Sequence, residues 1–178
     1  FFYIFHTGAG WKDTIGSADI TVRMPYEINA YNYNGCYPDS CNTTSREVQW
    51  HFEDFEPDKD GPWSISASFV PPPIWRALLT ERKNVAYDPK DGEAWGRLGK
   101  AYKEALGGFR GYALDEAGLE MYQWSNDAYQ KALELLPNDA DWHFGYAELL
   151  CTKAIWNDRG ISRPKEVDWT PCLVQLQQ

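Results

Sequence analysis

The chain has 178 residues, of which 43% are hydrophobic, enough to build a packed core and to exclude a wholly disordered protein. Its 26 acidic and 17 basic residues give a net charge of −9, a field that repels phosphate backbones and anionic lipid surfaces. No apolar run approaches the ~18 residues of a membrane span. We therefore expect neither a nucleic-acid partner nor a span in this chain.

Aromatic residues make up 16% of the chain and include nine Trp. Such a content is typical of large core anchors, of protein interfaces, or of surfaces that stack on sugars. The sugar-stacking candidates lie in or near predicted loops: Trp11, Tyr26, Tyr31, Tyr33 and Tyr37. Core packing is the preferred interpretation, because many of the aromatic residues fall at strand or helix periodicity.

Residues 1–70 are predicted to form a small antiparallel β sheet or partial sandwich of four or five strands. Phe1–His6 is a compact apolar run, and three later segments alternate apolar with polar residues. The apolar positions of those segments are Ala18, Ile20, Val22 and Met24; Val48, Trp50 and Phe52; and Trp63, Ile65, Ala67 and Phe69. Because the first strand begins at residue 1, we expect the chain to be part of a longer protein. We also expect an open strand edge that a neighbouring chain can extend.

The four cysteines are predicted to form two disulfides. Cys36 and Cys41 flank the turn-forming sequence Tyr-Pro-Asp-Ser, which brings two Cβ atoms within bonding distance. Cys151 lies late in a predicted helix and Cys172 in the tail, so a bridge between them would pin the tail to the helices. The even number, the local pairing and the lack of a CxxC motif favour disulfides over zinc, and with them an extracellular, periplasmic or cell-surface location.

Two further modifications or ligands are suggested by short motifs. Asn42 opens an Asn-Thr-Thr glycosylation acceptor, which is relevant only in a eukaryote. In the next turn Glu56, Asp58 and Asp60 have the alternate spacing that opens a calcium loop. Ala67 stands where that loop needs its bidentate acid, so a solvated hairpin turn is the preferred interpretation. Calcium is the alternative, and no other cofactor is expected.

After Pro71-Pro72-Pro73 the apolar period changes from two to about 3.6 residues. Residues 71–74 are predicted to be a rigid proline-rich linker, and residues 75–156 a helical domain. The first predicted helix ends near Tyr87. The second runs from a cap at Asp91 to Gly107-Gly108, the third from Asp115 to Leu136, and the fourth from Asp141 to Trp156. Residues 157–178 show little periodicity and are predicted to be an irregular tail. The fold class is therefore α+β.

Two successive helices of this domain carry the two halves of one sequence motif. Trp95, Leu98, Gly99 and Tyr102 occupy one helix, and Ser125, Tyr129, Ala132 and Pro137 occupy the next, with small residues where two helices cross closely. In residue type and spacing this half resembles the tetratricopeptide repeat, with one full hairpin and a half on either side. About fourteen extra residues separate the two motif halves. The β half is similar, more loosely, to β domains of uncharacterised exported bacterial proteins.

The resemblance implies a scaffold that binds a peptide or protein. The positions that match the family's groove-facing positions are Gly96, Lys100, Lys103 and Glu104. An ordinary solvated helix face is the alternative interpretation of the same four residues.

Catalytic signatures are not apparent in the sequence. His6, His51 and His143 are dispersed, and no nucleophile elbow, phosphate-binding glycine loop or His-Glu-x-x-His motif occurs. We therefore expect a non-catalytic, exported interaction module. The alternatives are a structural subunit of a larger surface or membrane-associated assembly, docked through the incomplete sheet, or a carbohydrate-binding module.

Overall fold

The computed structural model describes residues 1–5, 13–56, 64–109, 115–159 and 168–177. Within these ranges, antiparallel strands are followed by helices, which confirms the predicted α+β class. The chain divides into two compact units, Phe1–Pro72 and Pro73–Gln178, and each is described by itself.

The first unit contains two three-stranded antiparallel sheets in its described residues. The strands are β1 (Phe2–Ile4), β2 (Ile15–Arg23), β3 (Tyr33–Tyr37), β4 (Asn42–Thr43), β5 (Glu47–Phe55) and β6 (Ser64–Phe69). One sheet has the order β1-β6-β3 and the other β2-β5-β4. The predicted period-two segments correspond to β2, β5 and β6.

Both sheets contribute to one hydrophobic core. Val48, Trp50 and Phe55 come from β5, and Ile65 and Phe69 from β6, and all are buried. Alternation along β6 and the first part of β5 turns every second side chain to the same face, so the two sheets bury these faces against each other. Asp54, at φ 46°, interrupts the alternation of β5 before Phe55. The unit is therefore the small partial sandwich expected from the pattern.

The second unit consists of helices α1 (Pro72–Tyr87), which begins at the junction, α2 (Gly92–Phe109), α3 (Glu116–Leu135), α4 (Ala140–Arg159) and α5 (Thr170–Leu176). Asp91 accepts a hydrogen bond from the Ala94 N–H at 2.9 Å, as expected of a helix cap. Asp115 does the same for the Gly118 N–H at 2.8 Å.

Three boundaries correct the sequence analysis. The proline-rich linker predicted at 71–74 is helical from Pro72 onward, because proline in the first turn lacks only an N–H that the helix does not use. α2 continues past Gly107 to Phe109. The tail predicted to be irregular at 157–178 contains the end of α4 and all of α5; residues 160–167 and 178 lie outside the described residues.

The centre of the helical unit is a tyrosine ring between two glycines. Tyr129 of α3 is fully buried. A Cβ added to Gly99 of α2 would lie 2.9 Å from the ring, and one added to Gly145 of α4 would lie 2.8 Å from the hydroxyl oxygen. Ser125 strengthens the same crossing by donating to the Gly99 carbonyl at 2.8 Å. The repeat-motif residues Gly99, Ser125 and Tyr129 therefore form one contact.

The other motif residues are also structural. Leu98, Tyr102 and Ala132 are buried, and the Trp95 indole donates to the Pro89 carbonyl at 3.0 Å. Pro137 follows the end of α3. The fourteen extra residues predicted between the motif halves fall largely within α2 and α3, which are 18 and 20 residues long; residues 110–114 lie outside the described residues.

We predict that Gly99→Ala destabilises the helical unit by about 1–3 kcal/mol, because the new methyl group meets a ring that has no room to move. Urea denaturation followed by circular dichroism measures the change. Gly107→Ala is the matched control on the same helix, since its added Cβ would meet no described atom within 4 Å outside its chain neighbours and the helix's own backbone. The control is expected to be neutral or to stabilise by up to ~1 kcal/mol. Equal effects of the two substitutions would contradict the packing argument.

Candidate interaction surfaces

The four predicted groove positions on α2 do not share one free face. A Cβ added to Gly96 would lie 2.3 Å from the Trp142 ring of α4. Lys103 donates to the Gly145 carbonyl at 3.2 Å and pairs with the Glu148 carboxylate at 2.6 Å. Both residues are therefore engaged by α4 within the same molecule.

The remaining two positions form an exposed pair. Lys100 and Glu104 are one helical turn apart, with their charged atoms 4.0 Å from each other. Such a pair contributes little to stability and leaves both side chains accessible to a partner.

The strand β1 presents a different kind of surface. The Phe1 main-chain nitrogen donates to the Ala67 carbonyl at 2.8 Å, and the Ala67 N–H donates to the Phe1 carbonyl at 3.0 Å. Because hydrogen bonding alternates along an antiparallel pair, the main-chain groups of Phe2 and Ile4 point away from β6. Among the described residues, these groups form the open edge of the sheet.

The side chains of β1 are uncharged and exposed. Phe1 lies 6.2 Å from the Trp50 ring and Tyr3 lies 5.3 Å from the buried Phe5 ring, so both belong to the core-facing side. Phe2 and Ile4 occupy the opposite side and are 59% and 42% exposed. An apolar edge strand of this kind is a template for another strand.

The other three described edges carry features that discourage pairing. β2 carries the exposed charges of Asp19 and Arg23, and β4 is only two residues long. β3 has a register shift between Tyr33 and Cys36, with Gly35 at φ 101°. β1 is also short, at three residues, but it carries neither charge nor a register shift in the described residues.

The aromatic residues proposed for sugar stacking do not form one platform. The Tyr26 hydroxyl donates to the Val70 carbonyl, and burial raises the pKa of Tyr26 to about 12. Tyr33 stacks on Phe69 with a centroid separation of 5.1 Å. Tyr31 is half-buried, Tyr37 is exposed, and Trp11 lies outside the described residues.

The predicted disulfide pairs are both at bonding distance, Cys36 with Cys41 and Cys151 with Cys172. This pairing is compatible with a secreted protein. Asn42 is exposed on β4, opposite Gln49. For calcium, Glu56 is half-buried, whereas Asp58 and Asp60 lie outside the described residues. The described ranges contain no group of three or more His, Cys, Asp or Glu able to hold a metal ion.

A charged cluster that the sequence did not reveal lies on the outer face of the second sheet. His51 on β5 contacts Asp19 of β2 through Nδ1 at 2.7 Å and Glu53 through Nε2 at 3.2 Å. The hydrogen bond that the protonated His51 ring donates to the Asp19 carboxylate is the main reason that the pKa of His51 is raised, and the bond that it donates to Glu53 adds to it. Asp19 and His51 are directly opposite in the strand register, which only the folded sheet determines.

Comparisons with known proteins identify no relative. A scan against protein-family models, a search of curated proteins and a search of solved structures each found no match to this chain. None of the helices in the described ranges combines the length and the apolar character that a membrane crossing requires.

We predict that Asp19→Asn lowers the pKa of His51 more than Glu53→Gln does, because Asp19 makes the stronger contact. An NMR titration of the His51 ring measures both values, with Glu27→Gln as the control for a distant exposed acid. Since the folded pKa is raised, the cluster stabilises the sheet fully below the unfolded-state pKa of His51. That contribution is lost as pH rises through the folded pKa. An unchanged titration in Asp19→Asn would contradict the assignment.

Proposed function

We propose that the protein is a non-catalytic interaction module of the extracellular or periplasmic space, and that a protein partner binds by adding a strand to β1. The single observation that supports this function most directly is the edge at Phe2 and Ile4, whose main-chain groups point away from β6 and pair with no other described strand, next to exposed apolar side chains. Main-chain hydrogen bonds supply affinity in strand addition, and alternate side chains supply specificity.

The contrast among edges supports the choice of β1. β2 carries charge, β3 has an irregular register and β4 has only two residues, whereas the three residues of β1 are Phe, Tyr and Ile. A net charge of −9 protects the rest of the surface against nonspecific association. Within the first unit, the exposed apolar side chains are therefore concentrated at this edge.

The helical unit fits the same scaffold role. Its close helix crossing around Gly99, Tyr129 and Gly145 provides a rigid helical frame for such a role. Lys100 and Glu104 are the part of the predicted binding face that remains accessible to a partner.

We predict that a photoreactive phenylalanine analogue at Phe2 crosslinks to a discrete partner protein when the chain is expressed in its native compartment. The same analogue at Tyr87, which is 93% exposed on α1, controls for exposure alone. Mass spectrometry identifies the adducts. An Ile4→Lys substitution in the Phe2-labelled chain places a charge at the open edge, and we expect at least tenfold less crosslinking without loss of the fold.

Two results would argue against strand addition. The first is an adduct pattern at Phe2 that equals the pattern at Tyr87. The second is a discrete adduct that persists undiminished in the Ile4→Lys chain. A discrete adduct with a second copy of this chain would identify self-assembly as the form that strand addition takes.

A further inference from the structure

A groove runs along α4, with α3 as one wall and α5 as the other. It consists of two cavities in line, of about 370 and 420 Å³. Tyr122, Lys153 and Asp168 line one end, and Gln130, His143 and Gln175 line the other. This order follows because α3 and α4 run antiparallel. The Lys153 ammonium lies over the Tyr122 ring near one end of the groove, and Gln130 donates to the Tyr146 hydroxyl nearer the other.

The wall formed by α5 is fixed in place. The Cys151–Cys172 disulfide joins it to α4. Near its other end, Gln175 Oε1 lies 3.0 Å from His143 Nδ1, and His143 Nε2 lies 2.9 Å from the Pro137 carbonyl oxygen. A groove held open in this way binds a ligand without first having to order its own walls.

Carboxamides are the prevailing polar groups of the groove. They are Gln123, Asn126, Gln130 and Gln175. At the junction of the two cavities, Gln130 donates to the Tyr146 hydroxyl and that hydroxyl donates to Asn126 Oδ1, each at 2.9 Å. A carboxamide has two N–H donors and two acceptor lone pairs. The hydrogen bonds described for Gln130 therefore use only part of its capacity.

The charges of the groove do not select an ion of one sign. Lys153 lies 4.5 Å from the centroid of the Tyr122 ring, close to where Asp168 lines the same cavity, and Glu134 lines the other cavity. A phosphate-rich ligand would meet these carboxylates and a net charge of −9. Paired donors and acceptors on a neutral ligand suit the site better.

We propose that this groove binds an extended peptide segment through the peptide's main chain. The N–H and C=O groups of an extended chain have the same donor and acceptor chemistry as the carboxamides that line the walls. The floor from His143 to Lys153 spans ten residues of α4, or ~15 Å at ~1.5 Å per residue, which accommodates about five residues of extended peptide. The residues that line the site include none of β1 and neither Lys100 nor Glu104.

The test uses random peptides displayed on phage and selected on the immobilised full chain. Selected sequences are synthesised with a fluorescent label, and their Kd is measured by fluorescence anisotropy. We predict that Gln130→Ala combined with Gln175→Ala raises Kd by about tenfold or more, since each lost hydrogen bond reduces affinity severalfold. Gln177→Ala, at the C-cap of the same helix but outside the groove lining, is the matched control and is expected to leave Kd unchanged.

A second measurement separates main-chain from side-chain recognition. Methylation of single peptide nitrogens at the centre of the ligand is expected to weaken binding more than alanine substitution at the same positions. Should the double glutamine variant lose its fold by circular dichroism, Leu150→Trp replaces it, because a larger side chain fills the middle of the groove. Ile4→Lys is expected to leave this binding unchanged, which keeps the result independent of strand addition at β1.

Three outcomes would overturn the proposal. One is selection that enriches no peptide. Another is a set of peptides whose Kd is unaffected by both groove variants. The third is binding that tolerates methylation at every main-chain nitrogen.

Discussion

The close approach of α2, α3 and α4 around the Tyr129 ring is the constraint on which the helical unit depends. Gly99 and Gly145 lack the Cβ atoms that would keep these helices apart. Once α4 lies this close, Trp142 covers Gly96 and Lys103 reaches the Gly145 carbonyl. Interiors are packed too densely to absorb an added methyl group without rearrangement. The same contact therefore stabilises the hairpin and engages two of the four predicted binding positions, Gly96 and Lys103, within the molecule.

The first unit is constrained by its edge strands, because the outer strands of a small open sheet present main-chain groups that can pair with other chains. Charge on β2, the brevity of β4 and the irregular register of β3 each limit pairing in the described sheets. The exposed apolar residues of the unit are concentrated at β1 instead. In this unit the exposed apolar residues lie together on one strand of a chain with a net acidic charge. This arrangement is expected of a specific contact rather than of general aggregation.

The two disulfides act over different distances. Cys36 and Cys41 are five residues apart and join the end of β3 to the residue before β4. Cys151 and Cys172 are 21 residues apart and attach a helix of seven residues to α4. A helix so short is not stable alone in water, so its position depends on this attachment and on the His143–Gln175 contact. The position of α5 as a wall of the groove therefore depends on the Cys151–Cys172 disulfide.

Local patterns in the sequence determined the α+β class, the strands β2, β5 and β6, the capped start of α2, the start of α3 near Asp115, and the cysteine pairing. Periodicity, capping and turn formation depend on neighbours in the chain, so they can be recognised in one dimension. Tertiary structure alone placed Asp19 opposite His51 and turned Lys103 toward α4. It also set α3 and α5 on either side of a groove. These features depend on which faces of distant segments meet, and register and packing decide that only when the whole chain has folded.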